Sequence, residues 1–118
     1  MQSLENELDS WKKILEDLRQ HNALLKYRLS EIVDDNEDKN FLQLAEYFQN
    51  ELLLKDETLK KLMKDVQELN GINEPKNAVL DNMNEKFVKL HEEIQQFQKK
   101  YTLFSRDFNK KMPANTNF

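Results

Sequence analysis

The side chains of this sequence best suited to metal chemistry are its two histidines and the carboxylates beside one of them. His91 is followed by Glu92 and Glu93, which places an imidazole close to carboxylates, the ligand types of a di-iron helical bundle. Such a bundle needs Glu-x-x-His pairs and further glutamates that face its interior, whereas His21 and His91 only flank apolar repeats. The sequence therefore predicts no metal site and no cofactor.

Motifs for enzymatic catalysis are absent from the sequence. It contains no glycine-rich phosphate loop, no Gly-x-Ser-x-Gly turn and no His-Glu-x-x-His pair. It also lacks cysteine, which excludes a thiol nucleophile, a thiolate metal site and a disulfide framework. We expect a protein that is not an enzyme and that binds no small-molecule ligand.

Asn22 and Lys55 are polar residues at positions where apolar residues otherwise recur in steps of three and four. Three interpretations are open: a polar layer that opposes register slip, a small ligand or ion site built by both residues, and pairing of Asn22 with its copy in a parallel dimer. The first is favoured, because a single polar residue in a coiled-coil seam commonly fixes register. On that interpretation Asn22→Leu should raise stability, since it removes a buried amide whose hydrogen bonds are hard to satisfy.

Three long helices are the elements that must position these residues. Charged residues make up 34% of the 118-residue chain and apolar ones 38%, with one glycine and two prolines, too few turn formers for a β-protein. The apolar rhythm breaks twice, where Asn36 is expected to cap the second helix and Gly71 to end it. We predict one domain over residues 1–112 and a disordered tail over 113–118, with helices near 3–34, 37–70 and 74–111.

Each predicted helix carries a seam of apolar residues with heptad spacing, which is typical of coiled-coil packing. The apolar seam residues are Leu4, Leu8, Trp11, Leu15, Leu18, Leu25, Leu29 and Ile32 in the first helix, Phe41, Ala45, Phe48, Leu52, Leu59, Leu62, Val66 and Leu69 in the second, and Leu80, Met83, Phe87, Leu90, Ile94, Phe97, Tyr101, Phe104 and Phe108 in the third. Short links and similar lengths favour an all-α, antiparallel up-down-up three-helix bundle. Folding the chain about its turns predicts layers in which Trp11 meets Leu62 and Met83, Leu25 meets Phe48 and Phe97, and Ile32 meets Phe41 and Phe104. In the same alignment Lys55 lies one layer from Asn22, while Phe108 and Met112 lie beyond the partner helices.

Charge is distributed unevenly along the chain. The net charge of -4 argues against a generic nucleic-acid binder, yet residues 98–111 hold five basic side chains, one acid and three aromatics. Two interpretations are open for this segment. It is either a basic surface for nucleic acid or an anionic membrane, or a helix whose aromatics are core and whose basic residues complement the acidic helices 1 and 2. The second is favoured; the basic residues are Lys99, Lys100, Arg106, Lys110 and Lys111.

Several apolar residues fall outside the seams and are expected to be exposed. Scattered exposed apolar side chains are normal, but a cluster of them can mark a surface for a second copy or another helical protein. The candidate partner surface comprises Leu24, Tyr27, Tyr47, Leu53 and Leu54. We expect a monomer or weak homodimer that acts as a helical scaffold or adaptor through protein–protein contacts. With no membrane-spanning or signal-peptide segment in the sequence, the expected location is cytoplasmic.

The stretches LENELDSWKK at residues 4–13 and LKYRLSE at residues 25–31 resemble the N-terminal helix of short all-helical bacterial coiled-coil proteins of unknown function. The resemblance implies an all-helical fold and no particular activity. In topology the chain is also similar to spectrin-type three-helix repeats, which implies a spacer or scaffold role.

Overall fold

The computed structural model describes residues 2–34, 38–70 and 77–112, with side chains described over 6–34, 38–69 and 85–112. The described residues form three helices and no strand, so the predicted all-α class is confirmed. The helices are α1 (Gln2–Asp34), α2 (Lys39–Asn70) and α3 (Asn77–Lys111). None of the described helical segments is apolar over a stretch long enough to cross a membrane.

The helices alternate in direction because the links between them are short. The 33 residues of α1 and the 32 of α2 each extend about 50 Å. Only four residues, 35–38, link α1 to α2, and four residues can span at most about 14 Å, far less than the length of either helix. The second helix must therefore run back along α1. The ion pair from Lys61 of α2 to Glu93 of α3 and the ring contact from Phe48 to Phe104 show that α3 is antiparallel to α2 in turn.

The start of α2 lies slightly later than the sequence indicated, and a different residue caps it. The Asp38 carboxylate accepts a hydrogen bond from the backbone N–H of Asn40 at 2.9 Å, and the Asp38 carbonyl accepts one from the N–H of Leu42 at 2.9 Å. These are the two bonds of an N-cap residue, so Asp38 rather than Asn36 caps the helix. Asn36, Gly71 and the tail 113–118 lie outside the described residues.

One apolar core runs between the three helices, and it consists of the predicted seams. Leu18, Phe41, Phe87 and Phe104 are half-buried against this core. The buried apolar residues are Leu8, Trp11, Leu15, Leu25, Leu29, Ile32, Ala45, Phe48, Leu52, Leu59, Leu62, Val66, Leu69, Leu90, Ile94, Phe97, Tyr101, Phe108 and Met112. The sequence periodicity thus identified nearly every described core residue correctly.

The predicted register of α3 is wrong by about one heptad. Phe48 was expected opposite Phe97, but its ring contacts those of Phe104 and Phe108, with centroids 5.9 and 5.2 Å apart. Phe108 and Met112, which the predicted layers left beyond the partner helices, are fully buried. A heptad seam presents the same pattern after a shift of seven residues, so periodicity alone does not choose between the two registers.

Trp11 is displaced in the same direction at the other end of the bundle, by about four to eight residues of α3. Its ring contacts Phe87, with centroids 4.7 Å apart, and the imidazole of His91 at 5.5 Å. The sequence had placed it opposite Met83, whose side chain lies outside the described residues.

Candidate functional site

Asn22 is the centre of a buried polar cluster that joins all three helices. Its side chain is 0% exposed. The amide nitrogen donates to the Leu52 carbonyl at 2.9 Å and to Asp56 Oδ1 at 2.7 Å, and the amide oxygen accepts from the Tyr101 hydroxyl at 3.0 Å. Both amide hydrogens and the amide oxygen therefore have partners. The prediction that Asn22→Leu would raise stability assumed that the amide lacks hydrogen-bond partners. Because the amide has them, the substitution is now expected to lower stability.

Asp56 connects this cluster to a cation on α1. Its second carboxylate oxygen accepts a hydrogen bond from Lys26 Nζ, which completes a chain from Lys26 through Asp56 and Asn22 to Tyr101. Burial raises the pKa of Asp56, but the hydrogen bonds from Lys26 and Asn22 and the charges of Lys26 and Lys60 outweigh burial and bring that pKa below its usual range. Asp56 consequently remains a carboxylate, which is the form that accepts both bonds.

Tyr101 is held in its neutral form in the same cluster. Burial raises the pKa of its hydroxyl, and the nearby charge of Asp56 raises it further. A protonated phenol has a hydrogen to donate, and here it donates that hydrogen to Asn22. The cluster therefore acts as a structural polar layer that connects α1, α2 and α3.

Lys55 is not part of this polar layer, and the predicted pairing with Asn22 requires correction. Its ammonium lies 3.4 Å from Glu51 Oε1 and 4.4 Å from the centroid of the Phe104 ring, on the side of α2 that faces α3. The charged residue that accepts a hydrogen bond from Asn22 is instead Asp56, the next residue in the sequence. The sequence contained one usable signal for the cluster: a tyrosine at a seam position needs a hydrogen-bond partner for its hydroxyl.

The cluster predicts a specific dependence of stability on pH. Because the folded state lowers the pKa of Asp56, the stability that this carboxylate confers is present above pH about 4, the unfolded value, and is lost as the pH falls below it. Asp56→Asn should therefore lower stability at neutral pH and flatten its decline between about pH 5 and 3. Urea unfolding at a series of pH values measures this slope. The exposed Asp17→Asn is the matched control and should change stability at neutral pH by less than about 0.5 kcal/mol.

The two histidines pack against aromatic rings. His21 Nε2 lies 3.1 Å from the Ser105 hydroxyl, and its ring meets the edge of Tyr101. His91 contacts Trp11, as described above. Within the part of the chain that the structure describes, no three carboxylate or imidazole side chains come together as a metal-binding group.

The five residues of the candidate partner surface are all exposed, but they occupy different faces of the bundle. Tyr27 lies between Lys26, which reaches α2, and Arg28, which donates to Asn109 Oδ1 of α3 at 3.0 Å. Tyr27 therefore points away from both neighbouring helices. Leu24, three residues earlier, lies next to it on the outer side of α1.

The three candidate partner-surface residues of α2, which are Tyr47, Leu53 and Leu54, lie on two different sides of that helix. Leu54 borders a groove between α2 and α3 whose floor includes Leu62 and Phe97, both buried. Tyr47 precedes Leu54 by seven residues and so lies on the same side of α2. Leu53 is about 100° away around the helix and does not line the groove.

Charged side chains of both signs surround this groove. Lys61 bridges its two walls, since its ammonium lies 3.3 Å from Glu93 Oε2 of α3 and 3.3 Å from Asp65 Oδ2 of α2. These two hydrogen bonds raise the pKa of Lys61. The other charged residues that line the groove are Glu51, Lys55, Glu92, Lys99 and Lys100.

The basic residues of α3 also divide between two sides. Lys99 and Lys100 line the groove, and Lys111 Nζ lies 3.3 Å from Asp107 Oδ1 of its own helix. Arg106 and Lys110 are exposed on the side of α3 away from the core, and Lys99, also exposed, lies where that side meets the groove. No described carboxylate of α1 or α2 forms an ion pair with any of the five. The expected complementarity with helices 1 and 2 thus takes no form of ion pair among the described residues and stays a prediction, while the aromatic residues between the cations do belong to the core.

No protein-family model, curated protein sequence or solved structure matches this chain.

Proposed function

We propose that the protein is a non-enzymatic helical scaffold or adaptor that binds a helix of a partner protein in the groove between α2 and α3. The observation that supports this proposal is Leu54, which is 55% exposed at the edge of the groove beside the buried residues Leu62 and Phe97. An apolar side chain at this place extends the core toward the surface, where a further helix would cover it.

The spacing along α2 is compatible with a helical partner. Tyr47 and Leu54 are seven residues apart, about 10 Å along the axis, which is the repeat at which a packed helix presents its own apolar residues. A helix laid over the groove would convert the three-helix bundle locally into a four-helix arrangement, a common and stable packing.

The charges around the groove favour a partner with both acidic and basic residues beside its apolar stripe. Glu51 and Glu92 would attract basic side chains, while Lys99 and Lys100 would attract acidic ones. Charged residues that flank an apolar seam select the partner and its orientation more than they add affinity. This groove is therefore suited to recognition of one particular helix.

Placing a photo-cross-linking amino acid at position 54 tests the proposal in the cell. We expect a protein adduct that is absent when the same amino acid replaces Leu53, which is 49% exposed on the same helix but outside the groove. The captured protein is then purified and its affinity measured by calorimetry. Leu54→Asp should weaken binding by about tenfold or more, because a leucine fully buried at the interface contributes about 1.5 to 3 kcal/mol.

Leu53→Asp is the matched control for that measurement and should change the affinity by less than about twofold. Equal losses for the two variants would show that the groove is not the binding surface. An adduct formed equally at both positions would lead to the same conclusion.

A further inference from the structure

The outward side of α3 carries a stripe of basic residues that meets the groove at Lys99 and continues away from it toward the end of the helix. Lys99, Leu103, Arg106 and Lys110 each follow a core seam position by two residues, and two residues turn an α-helix by about 200°. These four residues, called the basic face below, therefore point away from the core. They extend over about 17 Å of helix.

Within the part of the chain that the structure describes, the cations of the basic face have no acidic partner. Among the described residues, no carboxylate lies within ion-pair distance of Lys99, Arg106 or Lys110. The nearest acid in sequence, Asp107, pairs with Lys111 on the flank of the helix. The charges of the basic face are thus available to an anionic surface outside the molecule.

The surroundings of these cations favour lipid over nucleic acid. Proteins that bind single strands stack bases on exposed aromatic rings, but Tyr101 and Phe108 are buried and Phe104 packs against the core. The large residue that the basic face does expose is aliphatic: Leu103 is 64% exposed, with cations four residues before it and three and seven residues after it. An exposed leucine flanked by lysine and arginine combines apolar burial with attraction to anionic headgroups, the two contributions that bind a helix to the surface of an anionic membrane.

We propose that the basic face of α3 binds the anionic surface of a lipid bilayer. The axis of α3 would lie parallel to the membrane plane, with Leu103 reaching the boundary between headgroups and acyl chains and the three cations contacting anionic headgroups. Leu103, Arg106 and Lys110 do not line the groove between α2 and α3, and Lys99 alone is shared with it, so this inference does not depend on the proposed function.

Vesicle co-sedimentation of the purified full chain tests the inference. We expect binding to phosphatidylcholine vesicles that contain about 30 mol% phosphatidylserine, no binding to phosphatidylcholine alone, and weaker binding as salt rises from about 50 to 300 mM. Combining Lys99→Gln, Arg106→Gln and Lys110→Gln should lower the partition coefficient about 100-fold, since each cation contributes about fivefold. The three side chains are exposed, so Trp11 emission should show an unchanged core.

Two controls show whether the effect belongs to this face. Lys13→Gln, Lys64→Gln and Lys86→Gln replace three other exposed lysines and change the net charge equally; their combination should alter binding far less. Because the chain has no cysteine, a polarity-sensitive dye can be attached at Leu103→Cys or at Leu53→Cys. The dye should shift its emission on anionic vesicles at position 103 only.

Several results would overturn the proposal. One is the absence of binding to anionic vesicles at low salt, and another is an equal loss of binding for the two triple variants. Duplex or single-stranded DNA that binds more tightly than the vesicles, and loses binding in the variant of the basic face, would assign this surface to nucleic acid instead.

Discussion

Asn22→Leu is expected to lower the free energy of unfolding by about 2 to 3 kcal/mol. The substitution leaves the buried Tyr101 hydroxyl and the Asp56 carboxylate without their amide partner. Each such loss costs about 1 to 3 kcal/mol. The added apolar burial of leucine returns about 1 to 2 kcal/mol, which is less than the combined loss. Urea unfolding followed by Trp11 emission and circular dichroism measures the difference.

A double-mutant cycle with Tyr101→Phe separates the hydrogen bonds from the change in shape. Phenylalanine removes the hydroxyl that leucine would leave unpaired, so the double variant should be more stable than the sum of the single losses predicts. A single Asn22→Leu variant that is more stable than the natural protein would show that the amide is not satisfied in solution. It would also restore the interpretation of Asn22 as an isolated register residue.

Phe108→Ala is expected to destabilise the protein by about 3 to 5 kcal/mol, the usual cost of truncating a buried phenylalanine. Phe108 is 0% exposed, and its ring contacts those of Phe48 and Phe104. Arg28 adds to this packing, with its guanidinium carbon 5.8 Å from the Phe108 ring centroid. The unfolding free energy from urea titration, or the midpoint of a thermal melt, provides the test.

Leu103→Ala on the same helix is the matched control and should change stability by less than about 0.5 kcal/mol, because Leu103 is exposed. The comparison also tests the register of α3. In the layers predicted from periodicity, Phe108 lies beyond the partner helices and its truncation would cost little. A loss for Phe108→Ala below about 1 kcal/mol would therefore favour that earlier register.

The sequence predicted which residues are buried more reliably than which residues meet. The seam residues Leu15, Leu52 and Ile94 were all correctly assigned to the core, since the position of a residue around a helix depends only on local spacing. The exposed positions of Leu53, Leu54 and Leu103 follow from the same rule. Which residues face one another depends in addition on how far each helix slides along its neighbour, and the length of a link constrains that displacement only loosely.

For the candidate surfaces, too, the sequence predicted which residues are exposed but not how they are arranged. Periodicity correctly predicted that Leu54 and Tyr27 are exposed, but only the arrangement of three helices placed Leu54 beside a groove and Tyr27 on an outer side. Likewise, the basic residues of α3 are evident in the sequence. Their separation into a groove side, with Lys99 and Lys100, and an outward side, with Arg106 and Lys110, requires knowing where α2 lies.

By itself the sequence determined the all-α class, the approximate extent of the helices and the apolar side of each, because these depend on interactions within a few residues of the chain. The tertiary structure decided the register and the partners of Asn22. Registers one heptad apart bury similar apolar seams, so hydrophobic burial scarcely distinguishes them. Directional contacts do distinguish them: the hydrogen bonds that join Asn22 to Asp56 and Tyr101, and the fit of Phe108 against Phe48, form in one register only.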